Sequence, residues 1–174
     1  MGKQSKVWKA IEQIARVILE FVFGLFQKKL DEEMFCALMQ FVKFGIIGVS
    51  NTIISYVLNI LVLIFLQPFS VSWDFIAGNI VAFVLSVLWS FYWNNKFVFT
   101  MQEGEERFIL KALLKTYIAY GFTGIILNNI LSWICINMLG ISKYIAPLIN
   151  LIISVPINFV INKMWAFRTD KKGV

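Results

Sequence analysis

The sequence predicts an all-α polytopic membrane protein: four transmembrane helices forming two parallel two-helix repeats, preceded by an amphipathic interfacial helix. Three observations carry this. Long windows hold no Asp, Glu, Lys or Arg. The basic residues collect in alternate gaps between those windows. One aromatic and amide pattern closes the second window and returns 68 positions later to close the fourth.

Residues 5–30 come first. Val7, Ile11, Ile14, Ile18, Phe21, Val22 and Leu25 recur at helical spacing, while Lys3, Lys6, Lys9, Glu12, Gln13, Arg16 and Glu20 break up the rest. Such a helix lies in the membrane interface or packs as an arm on a partner protein. Glu20 interrupts the apolar stretch and no small-residue cleavage site follows, which is not a signal-peptide pattern. Lys28-Lys29-Leu30-Asp31-Glu32-Glu33 is a polar joint before the first span.

The charge-free windows after Lys43, Asp74, Lys115 and Lys143 hold 30, 21, 27 and 19 residues. About 20 apolar residues cross the hydrocarbon core. The spans are expected near 44–66, 75–95, 116–138 and 144–163. They divide the chain into an N-terminal segment 1–40, a four-helix core 41–169 and a tail 170–174. Of 16 Lys and Arg, only Lys143 lies in a turn on the side opposite the termini. The positive-inside rule then places both termini and the 96–115 loop, read as solvated, in the cytoplasm.

The repeat sets Phe91-Tyr92-Trp93-Asn94-Asn95-Lys96-Phe97-Val98-Phe99 against Phe159-Val160-Ile161-Asn162-Lys163-Met164-Trp165-Ala166-Phe167. Phe91/Phe159, Asn94/Asn162 and Phe99/Phe167 coincide, and Ser86 and Val87 fall on Ser154 and Val155. Halves of like orientation make a parallel repeat. The register is good for the second and fourth spans and weak for the first and third.

The net charge of +6 belongs to span flanks, so it indicates topology and attraction to anionic lipid rather than nucleic acid. The chain has no His, and Cys36 and Cys135 fall at the cytoplasmic side and within the third span. Neither a metal site nor a disulfide is expected, and no cofactor. No nucleophile–base pair, paired carboxylates or phosphate-binding glycine loop is present, so an enzyme is not expected. No acidic residue lies within a span, which removes the usual proton-coupling group.

Each span carries a polar or small stripe. These are Gly48, Asn51, Ser55, Asn59; then Asn79, Ser86, Ser90, Asn94; then Tyr117, Gly121, Gly124, Asn128, Ser132; and Asn150, Ser154, Asn158, Asn162. Residues three or four apart share a helix face, and such faces avoid lipid. Asn51, Ser55, Ser86, Trp89, Asn94, Asn128, Ser154, Asn158 and Asn162 are candidates to line one amide- and hydroxyl-rich path. The competing reading is helix–helix glue, which suits Gly45, Gly48, Gly121 and Gly124 better. Lys43, Lys96, Lys115, Lys163 and Arg168 ring the cytoplasmic ends. Of these, Lys43, Lys96, Lys163 and Arg168 are the candidates for a phosphate head group.

Residues 38–169 resemble the GtrA-like family of small four-helix membrane proteins. The resemblance rests on Phe41-Val42-Lys43-Phe44-Gly45-Ile46-Ile47-Gly48 with Asn51, and on the two endings. The second ending fits the family's Asn-Arg/Lys-x-Trp-x-Phe pattern. The first departs from it, with Asn95 at the cation's place, Phe97 at the tryptophan's and Lys96 one place late. The resemblance implies movement of a polyprenyl-phosphate-linked monosaccharide across the cytoplasmic membrane for cell-surface polysaccharide glycosylation. It implies a membrane glycosyltransferase as partner, with undecaprenyl phosphate as the bacterial carrier. Two alternatives stand beside it: a non-transporting subunit that anchors or activates a glycosyltransferase, and a small-solute exporter. Four helices make a thin wall for a sugar, so a homo-oligomer is expected.

Overall fold

The computed structural model describes residues 6–25, 29–70, 73–142 and 145–171. The expectations placed on Lys3, Lys28, Lys143 and Lys172 lie outside the described residues. Two compact units divide at Lys43 and Phe44.

In the first unit, α1 (Lys6–Leu25) meets the start of α2 (Glu32–Leu66). Asp31 begins α2, its carboxylate accepting the N–H of Met34 at 2.7 Å. The helix thus starts at the polar joint, well before Phe44. Glu and Leu-like residues tolerate a helix whether or not lipid surrounds it, so charge marks the membrane edge and not the helix end. Arg16 forks onto Glu32 at 2.9 and 3.0 Å and lies over the Phe35 ring. Lys43 reaches Glu12 at 2.6 Å. Sequence partners running in opposite order make this pairing antiparallel. Ile14, Val17, Phe21 and Leu25 stay exposed on α1.

In the second unit the chain continues through α2 and a short 3₁₀ turn, Gln67–Phe69, into α3 (Asp74–Phe97). The third span is α4 (Ile109–Gly121) and α5 (Asn128–Trp133), each followed by a wide π turn, Phe122–Leu127 and Ile134–Met138. Gly140, at φ 64°, turns the chain out of it, and Ile141 N–H closes on the Cys135 carbonyl at 2.8 Å. The fourth span is α6 (Ala146–Ile161) with a terminal π turn, Asn162–Ala166. Four stretches, Glu32–Phe69, Ile76–Phe97, Ile109–Met138 and Leu148–Ala166, are long and apolar enough to cross a membrane. The protein is a multi-pass membrane protein.

The 96–115 loop is shorter than the sequence reading had it. The helix resumes at Ile109, because Leu, Ala and Lys favour it before the charges end. The remainder folds back: β1 (Glu105–Glu106) pairs antiparallel with β2 (Asp170–Lys171), Glu105 opposite Lys171. This pair forms a strap at the basic end of the second unit. Here Phe44 at the unit's start packs on Phe99 and Phe159, at centroid distances of 6.1 and 5.4 Å. The first span of this unit therefore begins where the second and fourth end, as an up-and-down bundle requires. Phe44, Ile47, Phe91, Val98, Phe99, Ala112, Ala166 and Phe167 form the core at this end.

The core also displays the duplication. Phe91 stacks on Phe167 at 5.3 Å, and Phe99 stacks on Phe159 at 5.8 Å. Exchanging each residue for its repeat equivalent turns one contact into the other. Phe99 and Phe167, equivalent to each other, meet at 4.6 Å, as two residues flanking an approximate two-fold axis would.

Candidate functional site

The two repeat endings share one backbone device. The N–H of Phe99 bonds five residues back to the Asn94 carbonyl, and that of Phe167 to the Asn162 carbonyl, both at 2.8 Å. Each turn widens the helix by one residue and swings an aromatic ring into the core. Asn94 and Asn162 are 1% and 0% exposed. Their side-chain amides donate one turn back, Asn94 to Ser90 Oγ at 3.0 Å and Asn162 to Asn158 Oδ1 at 3.0 Å. Ser90 and Asn158 are themselves repeat equivalents.

The cations differ. Asn95 Oδ1 accepts Arg107 at 2.6 Å, and Arg107 also donates to the Phe99 carbonyl at 2.8 Å. The first ending thus lacks its own cation but recruits one from the loop. Burial pushes the Arg107 pKa down from its usual value while Glu105 pushes it back up. Lys163, equivalent to Asn95, is exposed with its ammonium over the Phe159 ring at 5.6 Å. Lys96 is exposed among the rings of Tyr92, Trp93 and Phe97. Lys43 sits in the first unit, where Glu12 meets its charge.

Beside the second ending lies a cleft of about 360 Å³ lined by Arg107, Phe108, Lys111, Ala112, Lys115, Ala166 and Arg168. Four cations and, among the described residues, no carboxylate line it. Lys115 is fixed by the Trp165 carbonyl at 3.1 Å and its ring at 5.3 Å, while Lys111 and Arg168 are exposed. The start of α4 adds to this field. No side chain caps it, and the first-turn N–H groups of a helix have no intrahelical partner and favour an anion. Of the four phosphate candidates only Arg168 lines the cleft. Arg107 and Lys111 line it too and are not among the sequence candidates, because the charges of the 96–115 loop read as solvated. The available signal was Lys111 and Lys115 one turn apart behind the apolar Phe108-Ile109-Leu110.

The polar stripes pair between neighbouring spans. Trp89 Nε1 donates to Ser50 at 3.1 Å, and Asn59 Nδ2 to Asn79 Oδ1 at 2.9 Å, joining the first and second spans. Ser90 meets the Tyr120 hydroxyl at 2.8 Å, joining the second and third. Asn150 Nδ2 reaches Ser132 Oγ at 2.6 Å and the Asn128 carbonyl at 3.1 Å, joining the third and fourth. Ser86 and Ser154 are buried; Asn51, Ser55, Asn128 and Asn158 are half-buried. The Oδ1 atoms of Asn51, Asn128, Asn150 and Asn162 are buried and accept no hydrogen bond among the described residues. The glue expected of Gly45, Gly48, Gly121 and Gly124 differs from the structure. Beyond their own helix backbone and chain neighbours, no described atom lies within 4 Å of where a Cβ would stand at any of them, so no close helix approach is made there among the described residues. Gly78 is the close approach instead, with Asn59 Nδ2 at 3.0 Å from that point.

The match to known proteins covers this same core. Residues 43–167 fit the family described as GtrA/DPMS, transmembrane domain. The chain belongs to that family. A dolichol-phosphate mannosyltransferase of Pyrococcus furiosus is 36% identical to it over 89 residues, half of this chain. The matched stretch is 24% of that relative's length, so the likeness extends over one part of a longer protein.

Proposed function

We propose that this protein handles a polyprenyl-phosphate-linked monosaccharide in the bilayer and moves it from the leaflet at the basic end to the opposite leaflet. The observation that carries the reading is the four-cation cleft beside the second ending. A phosphate held there is met by charge-assisted hydrogen bonds. The exposed apolar faces of the spans leave the prenyl chain in lipid. The amide oxygens of Asn51, Asn128, Asn150 and Asn162 offer acceptors to sugar hydroxyls along the interior. The relative's name, with its dolichol phosphate and mannosyl transfer, belongs to the same lipid chemistry.

In this reading the basic end, both termini and the strap face the cytoplasm, which the Lys and Arg distribution supports. The membrane is the cytoplasmic one, and α1 lies in its interface. Lys96 and Lys163, both exposed, draw the anionic lipid inward, whereas the charge of Lys43 is met by Glu12; the protein itself is not the enzyme. A membrane glycosyltransferase consumes the sugar on the far side, and that consumption gives the movement its direction. A homo-oligomer would close the thin wall of a four-helix path.

The test is the purified full chain in liposomes carrying a mannosyl phosphoryl polyprenol, its leaflet followed by an impermeant oxidant of the sugar. The expected result is protein-dependent exchange, slowed about tenfold in the Lys111→Gln, Arg168→Gln double variant, as lost charge-assisted contacts imply. Leu at Asn51, Asn128 and Asn158 should slow it without unfolding the protein. No movement by the wild type alone would sink the transport reading. It would favour an accessory subunit, as the longer mannosyltransferase relative suggests.

A further inference from the structure

We infer that the cleft reads phosphate as a dianion, so that sugar-free polyprenyl phosphate binds there more tightly than the sugar-bearing diester. This rests on the reading that the cleft takes polyprenyl phosphate. The charge balance points this way. Arg107, Lys111, Lys115 and Arg168 line the cleft, and the uncapped start of α4 adds its own positive field. Among the described residues no carboxylate is in the lining, and Glu103, Glu105 and Glu106 are the acidic residues that precede Arg107 in the loop. Glu105 acts on Arg107, and Glu105, Glu106 and Asp170 belong to the strap.

A phosphodiester brings one negative charge to this surplus. A phosphomonoester brings a second charge and a third terminal oxygen. Each added charge at contact distance gains strongly where lipid and protein lower the dielectric. Arg107 and Lys115 are held in place by Asn95, the Phe99 carbonyl and the Trp165 carbonyl. They are therefore pre-positioned, while exposed Lys111 and Arg168 close on the additional oxygens.

The chemistry of consumption supplies such a ligand. Transfer of the sugar to an acceptor hydroxyl breaks the bond between the sugar's anomeric carbon and the phosphate oxygen. The phosphate keeps the electron pair and becomes a monoester, and the hydroxyl's proton leaves to solvent. The cleft then holds the returning carrier at the basic end, where a sugar-loading reaction draws on it. One site thus serves both lipids, and the protein exchanges them.

The experiment uses the full chain in nanodiscs of zwitterionic phospholipid. A short polyprenyl monophosphate and the mannosyl diester of the same prenol are titrated by calorimetry. A phosphomonoester takes its second charge near pH 6, so titrations run from about pH 5.5 to about pH 7.5. The chain has no His, so no side chain with an ordinary pKa in that window confuses the readout. At the upper pH the monoester should bind about tenfold tighter than the diester, one charge pair's worth at partial screening. The advantage should vanish at the lower pH while diester affinity stays flat. Lys111→Gln with Arg168→Gln, both exposed positions, should erase the preference and its pH dependence. A pH-flat monoester, or one no tighter than the diester, overturns the inference. So does a preference that survives in the double variant. If the variant weakens diester binding without any monoester preference, the inference alone fails. If it changes neither lipid's binding, the phosphate reading of the cleft fails with it.

Discussion

At the end of α3, buried Asn94 takes the N–H of Phe99 from five residues on, and at the end of the fourth span Asn162 does the same for Phe167. Both rings enter one aromatic core. The cations do not follow the repeat. Asn95 binds Arg107 and turns that cation into structure, while Lys163, at the equivalent place, stays exposed. The cleft opens beside the second ending, with Arg107 lent to its wall from the first. Across the repeat, therefore, the packing is kept and the charge differs. Packing depends on both halves at once, whereas surface charge is answerable only to its ligand.

The largest effect tests the shared part. Phe99→Ala and Phe167→Ala should each cost about 3–5 kcal/mol, as for other buried aromatics, with near-equal losses in unfolding from detergent. A small loss at one of them would break the equivalence. The next tests the divergence. Arg107→Gln should cost about 2 kcal/mol, because it strips a charged donor from Asn95 and the Phe99 carbonyl. Asn95→Lys is milder, at about 1 kcal/mol, since it removes Arg107's acceptor and sets a like charge beside a half-buried guanidinium. Smallest for stability is Lys163→Gln, within about 0.5 kcal/mol as for other surface changes. It should nevertheless weaken lipid binding several-fold where Lys171→Gln does not. Equal stability losses at Arg107 and Lys163 would erase the contrast between structural and exposed cations.

The sequence made the four spans legible because lipid excludes charge, and made the repeat legible because Phe91, Asn94 and Phe99 recur without a gap. It left the starts of two helices unmarked for the same reason. An absence of charge marks hydrocarbon, but a helix continues through charged turns, as α2 does from Glu32 and α4 from Ile109. The strap was illegible, being a two-residue pairing between distant segments with no strand pattern. Part of the site shared that fate, since Arg107 and Lys111 count only once the loop is folded against the fourth span. The amides of the stripes pair between neighbouring spans, yet their partners, such as Ser132 for Asn150, follow from helix rotation that spacing does not specify.

The pairing of Phe99 with Phe167 has a consequence for ancestry. In a two-helix forebear that associated with its own copy, these two rings would have been one residue touching itself. Any substitution improving that contact would have acted on both sides of the assembly at once. Fusion of two such copies would have inherited a finished interface. It would also have freed each half to change separately, and unlike residues at equivalent places, such as Asn95 and Lys163, are what such freedom would leave.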